Sequence, residues 1–437
     1  MKKSFELKLH ISRDQEGTYF TLPFHVTADI KALEISYSYP RRPQEATKIE
    51  YGVFTATPEV NIIDIGLIAP DGTQVGASGS DKTEIYVNET YATPGYTPHK
   101  IDDGEWKIIV GAYRVAPEGV DVRYEIRLTE KSIRLLKGDL HVHSIASDGV
   151  HTIEELAFKA KANGLDFLAI TDHNQLISSD ALPRIPGVTL IHGVEWTHYR
   201  GHANFLGVDA PYDRPFFTNT DEEAAERFKS AHQRGALITV NHPFEGNSSF
   251  RFDMQSIPFD CLQVWNGPMR ESNLRAVGLW QQMLMAGRRV PICGGSDYHR
   301  DTPFIFLGGP TMCVFTMSAG MSDILDALRK GHGYLTFAPN GPELEMTAGT
   351  RMMGDEVEWA TCREVEIHAR GLLAGDEVKV ITNTGSETLY KAESDGFLQA
   401  TYHMKAPGFA RVEVERAFLP GLPMLPALLS NPIYFRE

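Results

Sequence analysis

A chain of 437 residues, of which 42% are hydrophobic, is long enough to bury several cores, and its length predicts roughly three domains. The formal net charge of −15 argues against non-specific binding of nucleic acid, which needs a basic face to displace counterions, although a small nucleotide stays compatible. A small anionic substrate is also compatible, because bound cations would reverse the local potential.

Two features of the sequence predict a cytoplasmic location. Residues 1–6 begin with basic side chains but lack an apolar stretch, and no run of about 18 apolar residues occurs, so neither a secretory signal nor a membrane span is expected. The cysteines have neither disulfide-framework nor zinc-site spacing. They are Cys261, Cys293, Cys313 and Cys362.

The first part of the chain predicts a β domain. Residues 1–135 lack helical periodicity and contain strand-like runs, which are separated by turn signals such as Pro70-Asp71-Gly72. This pattern predicts an N-terminal β-sandwich over residues 1–135. The runs fall at residues 33–37, 62–67, 84–87, 106–110 and 122–126.

The central segment, residues 136–337, alternates short apolar runs with helical spacing. The runs at residues 167–170 and 236–240 have the length of buried strands, whereas Leu156 and Ala160 lie on one face of a predicted helix. Strand–helix alternation predicts a parallel sheet or barrel, in which functional side chains gather at the carboxyl ends of the strands.

Histidines and carboxylates follow these predicted strands. Ten of the 16 histidines lie between His141 and His299. In an extended strand, His141 and His143 project to the same face and could offer two imidazoles to one ion. Imidazole is the commonest metal ligand, and carboxylates from other strands would balance the charge. An isolated His-x-His motif of this kind could equally well be two surface histidines. The histidines and carboxylates that follow the other predicted strands favour the metal site.

The last part of the chain again predicts strands. Runs at residues 365–369, 378–381 and 412–414 have strand-like composition and no helical spacing. They predict a second, smaller β-sandwich over residues 338–437.

The motifs of the central segment resemble the PHP (polymerase and histidinol phosphatase) superfamily of metallohydrolases. The resemblance covers under half of the chain, but its motifs occur in the order of the family. They lie at residues 139–143, 147–149, 170–174, 193–195, 241–243 and 295–299. Flanking pieces resemble the carbaryl-hydrolase-like (CehA/McbA) branch, and they lie at residues 92–96, 195–202 and 430–434.

The resemblance implies a multidomain α/β plus β architecture. A distorted (β/α)7-type PHP barrel would span residues 136–337, and N- and C-terminal β-sandwich domains would flank it.

The resemblance also implies two or three divalent transition-metal ions, which could be zinc, manganese or iron. A first ion would be held by His141, His143, Glu195 and Asp297. A second would be held by the bridging carboxylate of Glu195 together with His202 and His242, and His198 is an open alternative to His202.

A third cluster would hold either another metal or the phosphate of the substrate. It consists of Asp148, His173 and His299. Trinuclear members of the family tend to have a histidine where this chain has Asp148, which leaves a third metal open.

Catalytic roles are implied for Asp172, Glu195 and His299. Asp172 precedes the ligand His173 and either orients an imidazole or carries a proton to the leaving group. Arg270 is a candidate for substrate binding, since its guanidinium could bind two phosphate oxygens.

The resemblance therefore implies hydrolysis of a small phosphorylated substrate through a metal-bridging hydroxide. One alternative is hydrolysis of a carbamate or amide at the same metal site. A second alternative is a non-catalytic binding module, in which the β domains recognise a glycan or polymer and the barrel is a degenerate scaffold. The sequence makes no prediction of oligomeric state.

Overall fold

The computed structural model of the chain describes residues 2–43, 49–51, 54–56 and 58–437. The chain divides into two compact units, Met1–Ser132 and Ile133–Glu437. Among the described residues the regular secondary structure is mostly β-strand, and the four α-helices all lie in the second unit. None of these helices has the length and apolar character needed to cross a membrane.

The first unit consists of antiparallel strands. They are β1 (Lys2–Ile11), β2 (Thr18–Val26), β3 (Ile30–Ser38), β4 (Ile49–Tyr51), β5 (Phe54–Ala56), β6 (Ile62–Ile68), β7 (Gln74–Ser78), β8 (Glu84–Asn88), β9 (Gly104–Arg114) and β10 (Val120–Glu130). Two four-stranded sheets have the orders β1-β10-β3-β8 and β2-β9-β6-β7, and β4 pairs with β5. Alternate side chains are buried, and Ile35 of one sheet and Ile108 of the other belong to a single hydrophobic core.

The second unit contains the other strands and the helices. The strands are β11 (Arg134–Val142), β12 (Phe167–Ile170), β13 (Thr189–His198), β14 (Gly201–Leu206), β15 (Leu237–Val240), β16 (Cys261–Asn266), β17 (Ile292–Gly295), β18 (Thr311–Thr316), β19 (Gly333–Thr336), β20 (Glu343–Ala348), β21 (Arg351–Met352), β22 (Glu356–Glu358), β23 (Glu364–Leu372), β24 (Glu377–Thr382), β25 (Gly385–Lys391), β26 (Gly396–His403), β27 (Gly408–Arg416), β28 (Leu425–Ser430) and β29 (Ile433–Arg436). The helices are α1 (Ile153–Ala162), α2 (Asp221–Gln233), α3 (Glu271–Met285) and α4 (Met321–Lys330).

The central strands run in the order β17-β16-β15-β14-β13-β12-β11. Parallel pairing joins β11 to β12, β12 to β13, β15 to β16 and β16 to β17. Helix α1 has the predicted apolar face, since Leu156 and Ala160 are buried, and it begins after Thr152, whose side chain forms a capping box with Glu155.

Strand–helix alternation is interrupted at β13 and β14, which form an antiparallel hairpin. The turn ends at Gly201, whose φ is +138°, and an added Cβ there would lie 2.6 Å from the Phe250 ring. The sequence thus connects these two strands by a tight turn and not by a helix. The hairpin places Glu195 on β13 and His202 on β14 within one local structure.

The strands of the tail continue the central sheet. Beyond β11 its order is β18-β19-β28-β27-β24-β25, and a separate four-stranded sheet has the order β21-β20-β23-β26. The predicted runs at 365–369, 378–381 and 412–414 lie in β23, β24 and β27. The boundaries at residues 135 and 337, the barrel and the two sandwiches stay predictions.

Strand β11 carries the first ligand motif, and its position depends on one glycine. A Cβ added at Gly138 would lie 2.3 Å from the Phe167 ring on β12. Gly138→Ala should therefore lower the free energy of unfolding by about 1–3 kcal/mol, as overpacked cores do. The matched control is Gly278→Ala within α3, where nothing lies within 4 Å and alanine should add about 0.5–1 kcal/mol. Urea denaturation measures both, and equal stability of the two variants would contradict this packing.

Candidate metal centre

The structure brings all nine predicted ligand side chains together. Their nitrogen and oxygen atoms form four overlapping groups, and within each group all these atoms lie within 4.8 Å of one another. The groups are His141, His143 and Glu195; His141, His242 and Asp297; His173, Glu195 and His202; and His143, Asp148, His173 and His299.

The centre of the cluster is the carboxylate of Glu195, which is fully buried. Its Oε1 atom lies 3.2 Å from His141 Nε2, 3.1 Å from His202 Nδ1 and 3.3 Å from His242 Nε2. Its Oε2 atom lies 2.8 Å from His173 Nδ1. The two oxygens thus contact different imidazoles of the cluster, and the bridging role of Glu195 stays a prediction.

Several buried atoms of the cluster form no hydrogen bond of regular geometry in the described part of the chain, although some of them lie close to an imidazole or a carboxylate. They are His141 Nε2, His143 Nε2, His242 Nδ1 and Glu195 Oε2. Leaving buried polar atoms without a partner costs free energy, and lone pairs that converge in this way suit a divalent cation. The residues present therefore fit a metal centre.

The other ring nitrogen of several imidazoles is fixed by a neighbouring group. His141 Nδ1 lies 3.2 Å from the amide oxygen of Gln263. At His173 the nitrogen that faces Glu195, Nδ1, also lies 2.6 Å from the Thr197 hydroxyl. His299 Nδ1 lies 2.9 Å from the backbone carbonyl of Asp297. Such contacts set the ring orientation and the tautomer of metal-binding histidines.

Asp172 lies beside the cluster and holds the loop that follows β11. Its two carboxylate oxygens accept hydrogen bonds from the Ser144 amide at 2.8 Å, the Ser144 hydroxyl at 2.7 Å and the Ser147 hydroxyl at 2.7 Å. The Ser147 hydroxyl in turn lies 3.5 Å from His143 Nδ1. Of the two predicted roles for Asp172, these contacts favour orientation of an imidazole.

Polar residues outside the predicted set also support the cluster. Asp139 accepts hydrogen bonds from the Ser296 hydroxyl and the Gly308 amide, which ties β11 to the loop after β17. Asn241 donates to Glu195 Oε1 at 2.9 Å, and Asn266 donates to Asp297 Oδ2 at 3.1 Å. The sequence signal that could have identified Asn241 and Asn266 is their position at the carboxyl ends of β15 and β16.

The charges of the buried groups balance one another. Burial alone raises the pKa of Glu195, but the charge of His141 and hydrogen bonds from its imidazole neighbours hold the pKa well below its usual range. Burial lowers the pKa of His141, whereas Asp297 and Glu195 outweigh it and raise the pKa to about 10. The pKa values of Glu195 and Asp297 are both held low, so this site favours positive charge, which either a protonated imidazole or a metal cation bound by neutral imidazoles can supply.

Backbone strain is concentrated at the same strand ends. The non-glycine residues with positive φ among the described residues are Asn174, His242 and Asp297, with φ values of 52°, 25° and 53°. Two of them are predicted ligands and the third follows His173. Asn174 is held by hydrogen bonds with both the amide and the carbonyl of Thr197. Surrounding contacts of this kind maintain strained backbone at functional sites.

Two candidates lie outside the cluster. His198 Nε2 lies 3.1 Å from the Thr218 carbonyl, and the ring stacks on Trp196, so the structure places His202 and not His198 beside Glu195. Arg270 is paired with Glu245 at 2.6 Å, which joins the loops after β15 and β16. Its predicted role in substrate binding stays a prediction.

Part of the chain matches a family of known proteins. Residues 139–245 match the family model of the PHP domain. The matched segment includes most of the residues that converge on Glu195. The assignment to the CehA/McbA branch stays a prediction.

Curated relatives match parts of the chain. Over 87 residues it is 44% identical to a 5′-3′ exoribonuclease of Haemophilus influenzae, covering 19% of this chain and 32% of that protein. Over 196 residues it is 26% identical to a probable phosphatase of Vibrio campbellii, covering 38% of this chain and 78% of that protein. The chain spans about a fifth to a third of the first curated relatives that it matches.

One solved structure matches part of the chain. It is a two-domain protein of Bacteroides vulgatus described as containing a predicted PHP-like metal-dependent phosphoesterase. The match has 18% sequence identity and a TM-score of 0.41, and covers 68% of this chain and 95% of that chain.

The unpartnered buried atoms generate a prediction about metal content. Purified protein reconstituted with manganese, iron or zinc at neutral pH should retain at least two equivalents of metal, because cations would satisfy the converging lone pairs. Elemental analysis after desalting measures the content, and less than one equivalent would contradict the centre.

Proposed function

We propose that the chain is a metal-dependent hydrolase, and most specifically a phosphoesterase that acts on a small phosphorylated substrate. The observation that carries this proposal is the convergence of nine candidate ligand side chains around the buried carboxylate of Glu195, with several of their atoms left without a hydrogen bond. His141, His143, Glu195 and Asp297 would hold one divalent ion. Glu195, His202 and His242 would hold the second.

Two such ions, when bound, supply an activated water and neutralise negative charge on a phosphoryl group. The protein's contribution is the rigid placement of their ligands. Glu195 is fixed by Asn241 as well as by imidazoles, and Asp297 is fixed by Asn266. A site held in this way loses little free energy to reorganisation when the transition state forms.

The third group forms the more open side of the site. Asp148 has 58% of its side chain exposed, and its Oδ1 atom lies 3.1 Å from His299 Nε2 and 3.8 Å from His173 Nε2. We place the non-bridging oxygens of the phosphate on this side. His173 and His299 would contact them either as protonated imidazoles or through a third cation.

Phosphoester chemistry is also supported by the names of two curated relatives. The exoribonuclease of Haemophilus influenzae and the probable phosphatase of Vibrio campbellii both have names that refer to phosphoester substrates. A cluster with all nine positions filled disfavours the alternative of a degenerate binding module. Hydrolysis of a carbamate or amide would use the same ligands, so an experiment must distinguish it from phosphoester hydrolysis.

The proposed architecture is a distorted barrel formed by strands β11–β17. Its closure is supported by contacts between the first and last of these strands and the residues that follow them. Val142 forms a bridge with Tyr298, and the His143 amide donates to the Tyr298 carbonyl at 2.9 Å. The Ser296 amide donates to Asp139 on β11.

Glu195→Gln tests the bridging role directly. Removing one anionic oxygen from a carboxylate between two cations should reduce turnover at least about 100-fold, the scale on which altered metal-site groups act. The measurement is phosphatase activity at saturating metal together with elemental analysis. The matched control is Glu226→Gln on the exposed face of α2, which should be as active as the parent. Activity of Glu195→Gln within a few-fold of the parent would show that another residue is the bridge.

Inhibition by inorganic phosphate separates the two hydrolytic alternatives. A site that neutralises phosphoryl oxygens should bind phosphate competitively, and His299→Ala should weaken this inhibition about ten- to a hundredfold through loss of a charge-assisted bond. The other two ions should stay bound. The control is His232→Ala on the exposed surface of α2. If millimolar phosphate does not inhibit, while a carbamate or amide is hydrolysed, the carbonyl alternative replaces the phosphoesterase.

A further inference from the structure

Two buried amide side chains on β16 contact each other beside the candidate metal centre. Gln263 and Asn266 are both 2% exposed. The Nε2 atom of Gln263 lies 3.0 Å from Oδ1 of Asn266, so the two amides form one hydrogen-bonded pair. A buried amide needs partners for its donors and for its acceptor. The remaining partners of this pair are candidate metal ligands.

A β-bulge brings the two amides together. Residues three apart in a regular strand project to opposite faces, so Gln263 and Asn266 would not meet. Gln263 is paired with Cys293 of β17. Two residues further along β16, Trp265 is paired with Gly294, the next residue of β17. The extra residue in β16 reverses the alternation, and bulges beside functional sites commonly redirect side chains in this way.

A backbone donor fixes the orientation of the Gln263 amide. The backbone N–H of His242 lies 3.3 Å from Gln263 Oε1, and an N–H only donates, so this atom is the amide oxygen. The same oxygen lies 3.2 Å from His141 Nδ1, which therefore carries a proton and donates it. This tautomer leaves His141 Nε2, beside Glu195, for a cation.

The other end of the pair requires the same direction of hydrogen bonding. Asn266 Nδ2 lies 3.1 Å from Asp297 Oδ2, and an ionised carboxylate only accepts. Asn266 Oδ1 is then the atom that accepts from Gln263 Nε2, which agrees with the first end. Because Oδ2 of Asp297 is engaged, Oδ1 is left to face Nε2 of His141 at 3.4 Å and Nε2 of His143 at 3.1 Å.

The pair is anchored on α3 and also contacts a candidate ligand of the second cation. Asn273 accepts from the backbone N–H of Asn266 at 3.2 Å and donates to its carbonyl at 3.1 Å. These two bonds hold the end of β16. His242, whose backbone N–H donates to Gln263, has a φ of 25°. Gln263 thus contacts candidate ligands of both proposed cations.

We propose that Gln263 and Asn266 are positioning residues of the metal centre. They orient His141 and Asp297 as ligands of the first cation. Gln263 also holds the strained backbone of His242, a ligand of the second cation. This inference rests on the metal centre of the proposed function. Groups that orient metal ligands in this way commonly change metal affinity about 10- to 100-fold.

Stepwise titration of the full chain with cobalt(II) tests the proposal, because the visible absorption of bound cobalt reports both its amount and its coordination geometry. Gln263→Met keeps a similar side-chain volume but removes the amide, and it should weaken both binding steps about 10- to 100-fold. Asn266→Leu removes only the contact with Asp297 and should weaken one step by the same factor, leaving the other within about threefold of the parent.

Gln263→Glu separates orientation from packing. A carboxylate can still accept from His141 and from the backbone of His242, but it cannot donate to Asn266. One binding step should therefore return to within about threefold of the parent, while the other stays as weak as in Asn266→Leu. A side chain that acts only through packing would make the buried carboxylate no better than methionine.

The matched control is Asn431→Leu, which removes another buried amide, one that bonds to the backbone of Ile292 and Gly333. It should lower the thermal stability without changing either binding step. Thermal denaturation of the metal-free proteins identifies any variant that does not fold, and Asn266→Leu and Gln263→Glu then carry the comparison.

Two kinds of result would overturn the positioning role while the metal centre stands. One is cobalt binding by Gln263→Met or Asn266→Leu that equals binding by the parent. The other is equal weakening of both steps by Gln263→Met and Gln263→Glu. Binding of less than one equivalent of cobalt by the parent would overturn the metal centre and, with it, this inference.

Discussion

The candidate metal centre in the second unit depends on one buried carboxylate. Glu195 is fully buried, and an ionised carboxylate without compensation would cost several kcal/mol. Compensation comes from four neighbouring strands and the segments that follow them, which deliver His141, His173, His202 and His242 to its two oxygens. The same contacts that make burial of Glu195 tolerable also define where cations fit. The order of strands around β13 is thus inseparable from the chemistry of the site.

The most predictable feature of the candidate site was the position of most of its side chains. His141 and His143 alternate on one strand, and His173, Glu195, His242, Asp297 and His299 follow short apolar runs, so local patterns predicted them at strand ends. Asp148 and His202 were implied only by the resemblance to the PHP superfamily. The amides were missed because Gln263, Asn241 and Asn266 carry no charge signal in the sequence. Their role depends on which strands are neighbours, and that information is non-local.

Prediction of the fold from the sequence was also limited, because the pairing of strands depends on residues far apart in the chain. Helix α1 was identifiable because its cap and its apolar face lie within a few residues of one another. The hairpin of β13 and β14 departs from simple alternation, since it depends on the close approach of Gly201 to Phe250. Continuation of the central sheet into β28, β27 and β24 involves residues far apart in sequence. Periodicity predicts such strands individually but not their pairing.

The site has a buried side and an exposed side, and this difference determines which groups could contact an anionic substrate. Around Glu195 the ligands are buried, whereas Asp148 and, in part, His299 face solvent. Arg270 is paired with Glu245, so its guanidinium would have to exchange partners before binding a phosphate. Under the proposed function, positive charge for an anionic substrate would therefore come mainly from the imidazoles and from the cations they would hold. A protein with an overall net charge of −15 can in this way attract an anion to one point of its surface.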